Sequence, residues 1–230
     1  MKKFSLLFAL LLAVLPALSA LAADPAPAPV LRHAVTCPPF AGDQPIAGVY
    51  HDALVEVLKA SDGVEYLSGA AATGKRAPKF LYRVEGEVRD GMASIRLVDG
   101  YRDEVIAAHS APATSSRSEL AAWCSRVRAD LARRVSRIPF ECRVEAQPGR
   151  EALVLDRGLG AGLEPRVTLY VSGEEEVLLD PRTGEAVGRD APRAYGQIVV
   201  YRVNAASAYA RPVPGTVLPA RGGTFVARSF

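Results

Sequence analysis

The stretch "FLYRVEGEVRDGMASIRLVD", residues 80–99, decides what the first half of the chain can be. Tyr82, Val84 and Val88 fall on one side of an extended chain, and Arg83, Glu85 and Glu87 fall on the other. That period of two marks a half-buried strand. Arg89-Asp90-Gly91 supplies the turn, and the second half returns as a strand, so the segment reads as a β-hairpin. Just upstream, Gly69, Gly74 and Lys75 have the G-x-x-x-x-G-K spacing of a phosphate-binding loop. Such a loop opens a helix whose N-terminus faces the phosphates, and it carries Ser or Thr after the Lys to hold magnesium. Here Arg76 takes that position, Pro78 follows, and a strand begins. The match is therefore read as a Gly/Ala loop, with no nucleotide and no cofactor expected.

Outward from the hairpin, "VTCPPFAGD" is a short extended segment ending in turn signals. Ile46, Val49, Ala53, Leu54 and Val57 then recur at helical spacing until Ser61-Asp62-Gly63 stops the run. "VEYL" is a short strand, and "DEVIAAH" adds a third strand to the meander. Ser116 with Glu119 three residues on forms a capping box, opening a helix with the stripe Leu120, Trp123, Cys124, Val127, Leu131 and Val135. This order predicts a helix-backed α/β sandwich over residues 32–137.

From Phe140 the pattern changes to short strands and turns: 141–146, 151–156, 166–172, 176–180, 196–204 and 207–213. Six closely spaced strands predict a small antiparallel β barrel or sandwich over residues 138–213, making the whole chain α+β. Gly158, Gly160 and Gly162 look like part of a dinucleotide fingerprint, but position 163 is Leu and a strand follows, so they read as turn glycines. Asp180 to Glu185 is a tight turn with too few oxygens for calcium, and Glu174, Glu175 and Glu176 read as a solvated hairpin tip. Residues 214–230, rich in Pro and Gly and carrying Arg221 and Arg228, read as a flexible basic tail able to dock on a partner.

The first residues carry Lys2 and Lys3, an apolar run from Phe4, and Ala20-Leu21-Ala22. That is the order of a cleavable signal peptide, 1–22, followed by an Ala/Pro-rich tether, 23–31. A periplasmic product with no transmembrane span after cleavage is expected. The net charge of +3, lowered further by removal of the two lysines, gives no composition argument for nucleic acid. The three cysteines lack zinc-type spacing. A disulfide between Cys124 and Cys142 is expected, with Cys37–Cys124 as its competitor. His33, His51 and His109 are scattered, and neither G-x-S-x-G nor H-E-x-x-H occurs, so no metal site and no catalytic set is expected. Arg126, Arg128, Arg133, Arg134 and Arg137 lie off the apolar stripe of the second helix. They form either a solvated face near a helix C-terminus or a basic face for an acidic partner.

The second unit, with "DPRTGEAVG", "GQIVVYRV" and "SAYA", resembles the C-terminal domain of flagellar assembly protein T over roughly residues 140–213. Pro165-Arg166 stands where that family usually has Gly-Asp. The first unit, through "VTCPPFAGD", "YHDALVEVLKASDGVEYLSG" and "YRVEGEV", resembles the α/β domains of that protein's middle part, of curli secretion channels and of outer-membrane penicillin-binding protein activators. The resemblance implies a non-enzymatic periplasmic assembly protein, for instance of flagellar basal-body rings, with envelope proteins as partners. A regulator of a cell-wall synthesis enzyme and an envelope hydrolase are the alternatives.

Overall fold

Alternation in residues 80–99 builds the middle of a mixed sheet. Strands β4 (Leu81–Arg89) and β5 (Met92–Asp99) pair antiparallel through a turn in which Asp90 and Gly91 have φ of 52° and 72°. Two successive positive values are the signature of a tight type I′ hairpin. The computed structural model describes residues 29–75, 77–146, 152–190, 192–219 and 223–230. The expected signal peptide at 1–22, and the part of the tether before residue 29, lie outside the described residues.

On one side of the hairpin lies β6 (Glu104–Pro112), antiparallel to β5. On the other lies β1 (His33–Thr36), parallel to β4, with β3 (Val64–Tyr66) parallel beyond it. The two-residue β2 (Ala41–Gly42) pairs with the far end of β4. Helix α1 (Ile46–Lys59) makes the crossover between β1 and β3, and α3 (Arg117–Val135) follows β6, after the single turn α2 (Ala70–Thr73). The phosphate-loop lookalike is thus one helical turn that hands over to β4. Tyr82, Val84 and Val88 of β4 share a core with Ala93, Ile95 and Leu97 of β5 and with Tyr50, Leu54, Leu58, Trp123, Val127 and Leu131 of the helices. Within β4, Gly86 leaves room for Phe40, whose ring would lie 2.2 Å from an added Cβ.

Two local expectations are corrected here. The buried face of α1 is Ala47, Tyr50, Leu54, Val55 and Leu58, while Ile46 and Val49 are exposed. The bulky Tyr50, edge-on to Trp123 at 5.0 Å, sets which face turns inward. Ser116 makes no side-chain cap; Glu119 instead accepts a hydrogen bond from the Thr114 hydroxyl, which in turn accepts from the Ser116 N–H at 3.0 Å.

The second unit contains a closed six-stranded antiparallel barrel. Its strands are β7 (Glu141–Ala146), β8 (Leu153–Leu155), β9 (Thr168–Ser172), β12 (Ala194–Val203), β13 (Ala208–Pro212) and β14 (Gly223–Arg228). Around the barrel they run β12-β13-β8-β7-β14-β9. Phe140, Cys142, Val144, Leu155, Leu169, Val171, Ile198, Val200 and Phe225 fill it, together with Leu163 beyond the 3₁₀ turn Leu159–Ala161. Gly162, at φ 73°, lets that turn approach the entering chain: an added Cβ would lie 2.1 Å from the Val30 carbonyl oxygen.

The tail is therefore not a free arm throughout. Residues 223–228 insert as β14 between β7 and β9, burying Phe225, Val226 and Ala227. Without that strand β7 and β9 would present unpaired edges. Conversely, residues 176–180 leave the barrel. They become β10 (Val177–Leu179), paired only with β11 (Ala186–Arg189) in a separate ribbon.

Candidate functional site

The two units meet at a seam centred on Arg102, in the turn between β5 and β6. The Asp99 carboxylate shapes that turn, accepting the N–H groups of Tyr101 and Arg102 at 2.9 and 3.0 Å. The Arg102 guanidinium donates to Asp99 at 2.8 Å, to both oxygens of Glu141 at 3.0 and 3.1 Å, and to both oxygens of Glu175 at 2.7 and 3.2 Å. Arg228 of β14 approaches from the barrel, donating to Glu141 at 2.6 Å, to Glu175 at 3.0 Å and to Ser172 Oγ at 2.6 Å. Bidentate pairing of this kind fixes orientation as well as charge. Burial alone would lower the Arg102 pKa, but its bonds to Glu175, Glu141 and Asp99 raise it instead. The Arg102 bond in turn holds Glu175 below the ordinary carboxylate range, against the opposing effect of burial.

Further contacts extend the seam. Arg157 reaches Glu65 at 2.5 Å and the Arg32 carbonyl at 2.8 Å. The Lys79 N–H donates to Asp156 at 3.0 Å, while its ammonium pairs with Glu174 at 2.6 Å. His33 is buried between Tyr82 and Phe140, and burial together with the Arg157 charge lowers its pKa to about 4.

The ribbon β10–β11 rises from this seam. Glu175 precedes it, Arg189 at its end donates to the Arg102 carbonyl at 3.2 Å, and Asp190 N–H donates to the Glu176 carbonyl at 2.8 Å. Its base is thereby held by both units. Val177 pairs with Arg189, Leu178 with Gly188 and Leu179 with Ala186, with an irregularity between the last two pairs. Successive residues of a strand point to opposite faces, so Val177 and Leu179 share one face and Leu178 lies on the other. All three are exposed, at 47, 46 and 58 %, and Val187 is exposed at 65 %. Apolar side chains are thus exposed on both faces of the ribbon. The tip is a polar turn in which Asp180 accepts the N–H groups of Arg182 and Thr183 at 2.7 and 3.2 Å.

The basic residues of α3 differ in what they meet. Arg134 donates to Asp130 at 2.7 Å and to the Ile106 carbonyl at 2.9 Å, and Arg133 donates to Asp130 at 3.0 Å. His109 also meets Asp130, at 2.8 Å. Chiefly through Arg134, these contacts hold the Asp130 carboxyl below its usual range, with burial opposing. Arg128 donates to the Ala60 carbonyl at 2.9 Å, tying α3 to the end of α1. Arg126 and Arg137 make no ion pair among the described residues; Arg126 borders one cleft and Arg134 another.

The expected Cys124–Cys142 disulfide is corrected: all three cysteines are free. Cys142 points into the barrel core, whereas Cys124 packs against the core of the first unit, as does Cys37, so two separate interiors divide the expected pair. Burial raises each thiol, Cys37 to about 12, and works against a reactive thiolate. Among the described residues, no three His, Cys, Asp or Glu side chains group as metal ligands, and no helix is long and apolar enough to cross a membrane.

Sequence reasoning missed the seam. Its one local signal is a charge set within an apolar strand, as with Glu141 between Phe140 and Cys142, or Arg228 after Phe225-Val226-Ala227. Such residues are rarely buried unless paired.

No family model matches the chain, and no curated protein matches it. Among solved structures, the PelC dodecamer from Paraburkholderia phytofirmans is similar at 14% identity and TM-score 0.32, covering 47% of this chain and 92% of its own. TolB from Acinetobacter baumannii is similar at 13% identity and TM-score 0.33, covering 83% of this chain and 63% of its own. At these scores neither informs the function of this chain.

Proposed function

We propose that this chain is a non-enzymatic assembly protein of the bacterial cell envelope, exported to the periplasm by a cleaved signal peptide. It combines a helix-backed α/β unit with a barrel, and it docks a protein partner through the β10–β11 ribbon. The observation that carries this reading is the ribbon itself, with Val177, Leu178, Leu179 and Val187 exposed on an element anchored by Arg102, Arg189 and Lys79. A protein suits the ribbon better than a lipid bilayer, because Asp180, Arg182 and Glu185 at the tip would be costly in hydrocarbon. The two strands each have one neighbour only, so a partner can also add a strand at either edge. The resemblance of the second unit to the C-terminal domain of flagellar assembly protein T makes basal-body rings the first target.

The test is swimming and ring morphology in a deletion strain complemented with the wild-type gene or with a Leu178→Lys, Val187→Lys double variant. Neither residue belongs to a core, so the variant should accumulate normally by immunoblot. Lost motility restored by wild type and not by the variant is the expected result. Normal swimming and rings in the deletion strain would overturn the flagellar reading and favour a cell-wall enzyme regulator. Full rescue by the variant would overturn the ribbon as the docking element.

A further inference from the structure

The outer wall of the barrel carries a surface that belongs neither to the ribbon nor to the seam. Along β12, Ile198 and Val200 point into the barrel, at 0 and 1% exposure. Beyond them the pairing with β13 slips. Val200 stands opposite Ala210 and Arg202 opposite Tyr209, so Tyr201 is the extra residue of a β-bulge. A bulge re-aims side chains, and here Tyr201 and Arg202 are successive yet both exposed. Tyr209 lies between Ala208 and Ala210, both fully buried in the barrel, so its ring points outward. The two tyrosine rings lie 6.4 Å apart, and the Arg202 guanidinium sits over the Tyr209 ring at 5.6 Å. Arg211, two residues beyond Tyr209, shares that outer face and is exposed. Neither Arg202 nor Arg211 makes an ion pair among the described residues. Across the sheet from Tyr209 come Val154 and then Glu145, whose carboxylate is paired with Arg143 at 3.2 Å. On the other flank of β12, Glu164 and Arg166 in the turn before β9 offset each other in charge.

We infer that this face binds a carboxylated polysaccharide, with sugar rings laid on Tyr201 and Tyr209 and carboxylates held by Arg202 and Arg211. A tyrosine ring offers an apolar face with a polar tip, which suits the mixed surface of a sugar ring. A guanidinium is a planar fork that matches a carboxylate through two parallel bonds. Packing on Tyr209 orients the Arg202 fork before the ligand arrives. The outside of a closed barrel is convex, so it suits a polymer lying along it better than a protein side chain anchored in a pocket. The choice of a polysaccharide over a single-stranded nucleic acid, which would use the same groups, rests on export to the periplasm. Binding is measured on the purified protein, so its failure is distinct from a failure of the periplasmic or flagellar reading.

The protein is titrated by calorimetry with oligogalacturonate and, separately, with its fully methyl-esterified form, with poly-glutamate and with single-stranded oligothymidylate. Saturable binding of oligogalacturonate is expected, tighter than that of the other three by about ten-fold or more. Tyr201→Leu, which keeps apolar bulk and removes the ring, should weaken it by about ten-fold. The Arg202→Gln, Arg211→Gln double variant should weaken it at least as much. All three positions are exposed, so the barrel core is untouched. Arg126→Gln with Arg137→Gln removes the same charge from α3 and should leave the affinity unchanged. Absence of saturation, equal binding of the methyl ester, or equal or tighter binding of poly-glutamate or oligothymidylate would each overturn the inference. So would full affinity in Tyr201→Leu or in the barrel double variant, or an equal loss in the α3 double variant.

Discussion

Arg102 and Arg228 at the seam carry the same guanidinium as Arg128 and Arg133 on the outer face of α3, in unlike surroundings. The seam arginines are largely buried and meet Glu141 and Glu175, which come from other segments of the chain and, for Arg102, from the other unit. The helix arginines are exposed; Arg133 meets an acid on its own helix and Arg128 a neighbouring carbonyl. An exposed pair gains little because water screens it and long side chains must be ordered to make it. A buried network has already lost its water, so removing one member strands the others. Charge density along the sequence is therefore a poor guide to which charges hold this molecule together.

The largest expected effect sharpens that contrast. Arg102→Ala should destabilise the protein by about 3–5 kcal/mol, because it leaves buried Asp99 without a cation and Glu141 and Glu175 with Arg228 alone. Denaturant unfolding measures this, and a loss below about 1 kcal/mol would break the comparison, since that is the range of an exposed pair. Arg102→Lys should recover only part of it, as an ammonium cannot serve two carboxylates bidentately.

A smaller effect comes from His33 beside the seam. Its folded pKa of about 4 lies below the ordinary 6.5, so between those values the unfolded chain binds more protons. The stability it contributes is full above pH 6.5 and is lost as pH falls toward about 4. The loss is at most about 3 kcal/mol by linkage. Urea midpoints at pH 7 and pH 4.5 should differ less in His33→Asn than in wild type. An equal difference in both would place the pH sensitivity elsewhere. Glu175, whose pKa is lowered, adds its own loss only at more acidic pH, below the ordinary carboxylate range.

The smallest effects belong to the helix face. Arg133→Ala and Arg128→Ala should each change stability by no more than about 0.5–1 kcal/mol. A value near that of Arg102→Ala at either position would erase the distinction between the two regions.

Parts of this fold are legible one residue at a time. Alternation over residues 80–99 with Asp90-Gly91 at the turn becomes β4 and β5, and the stripe through Trp123, Val127 and Leu131 becomes the buried face of α3. Other parts are misread for identifiable reasons. In α1 several faces are apolar, so periodicity does not choose between Val49 and Tyr50; contact with Trp123 does. "EVLLD" and "TFVAR" are both plausible strands, and only ring closure selects residues 223–228 for the barrel and sends 177–179 outside it. The arginines of α3 stood out because they are clustered in sequence.

The sequence by itself determined the local periods, the hairpin turn, the strand that follows the Gly69–Lys75 segment where a phosphate loop has a helix, and the division into a mixed α/β part and a strand-rich part. Each follows from side chains within a few residues of one another, where steric and hydrophobic preferences act. The tertiary structure alone decided which strand closes the barrel, which cysteines share an interior, which arginines lose their water, and which apolar residues remain in it. Those outcomes depend on burial and on charges brought together from distant segments, and burial is a property of the packed chain rather than of any stretch of it.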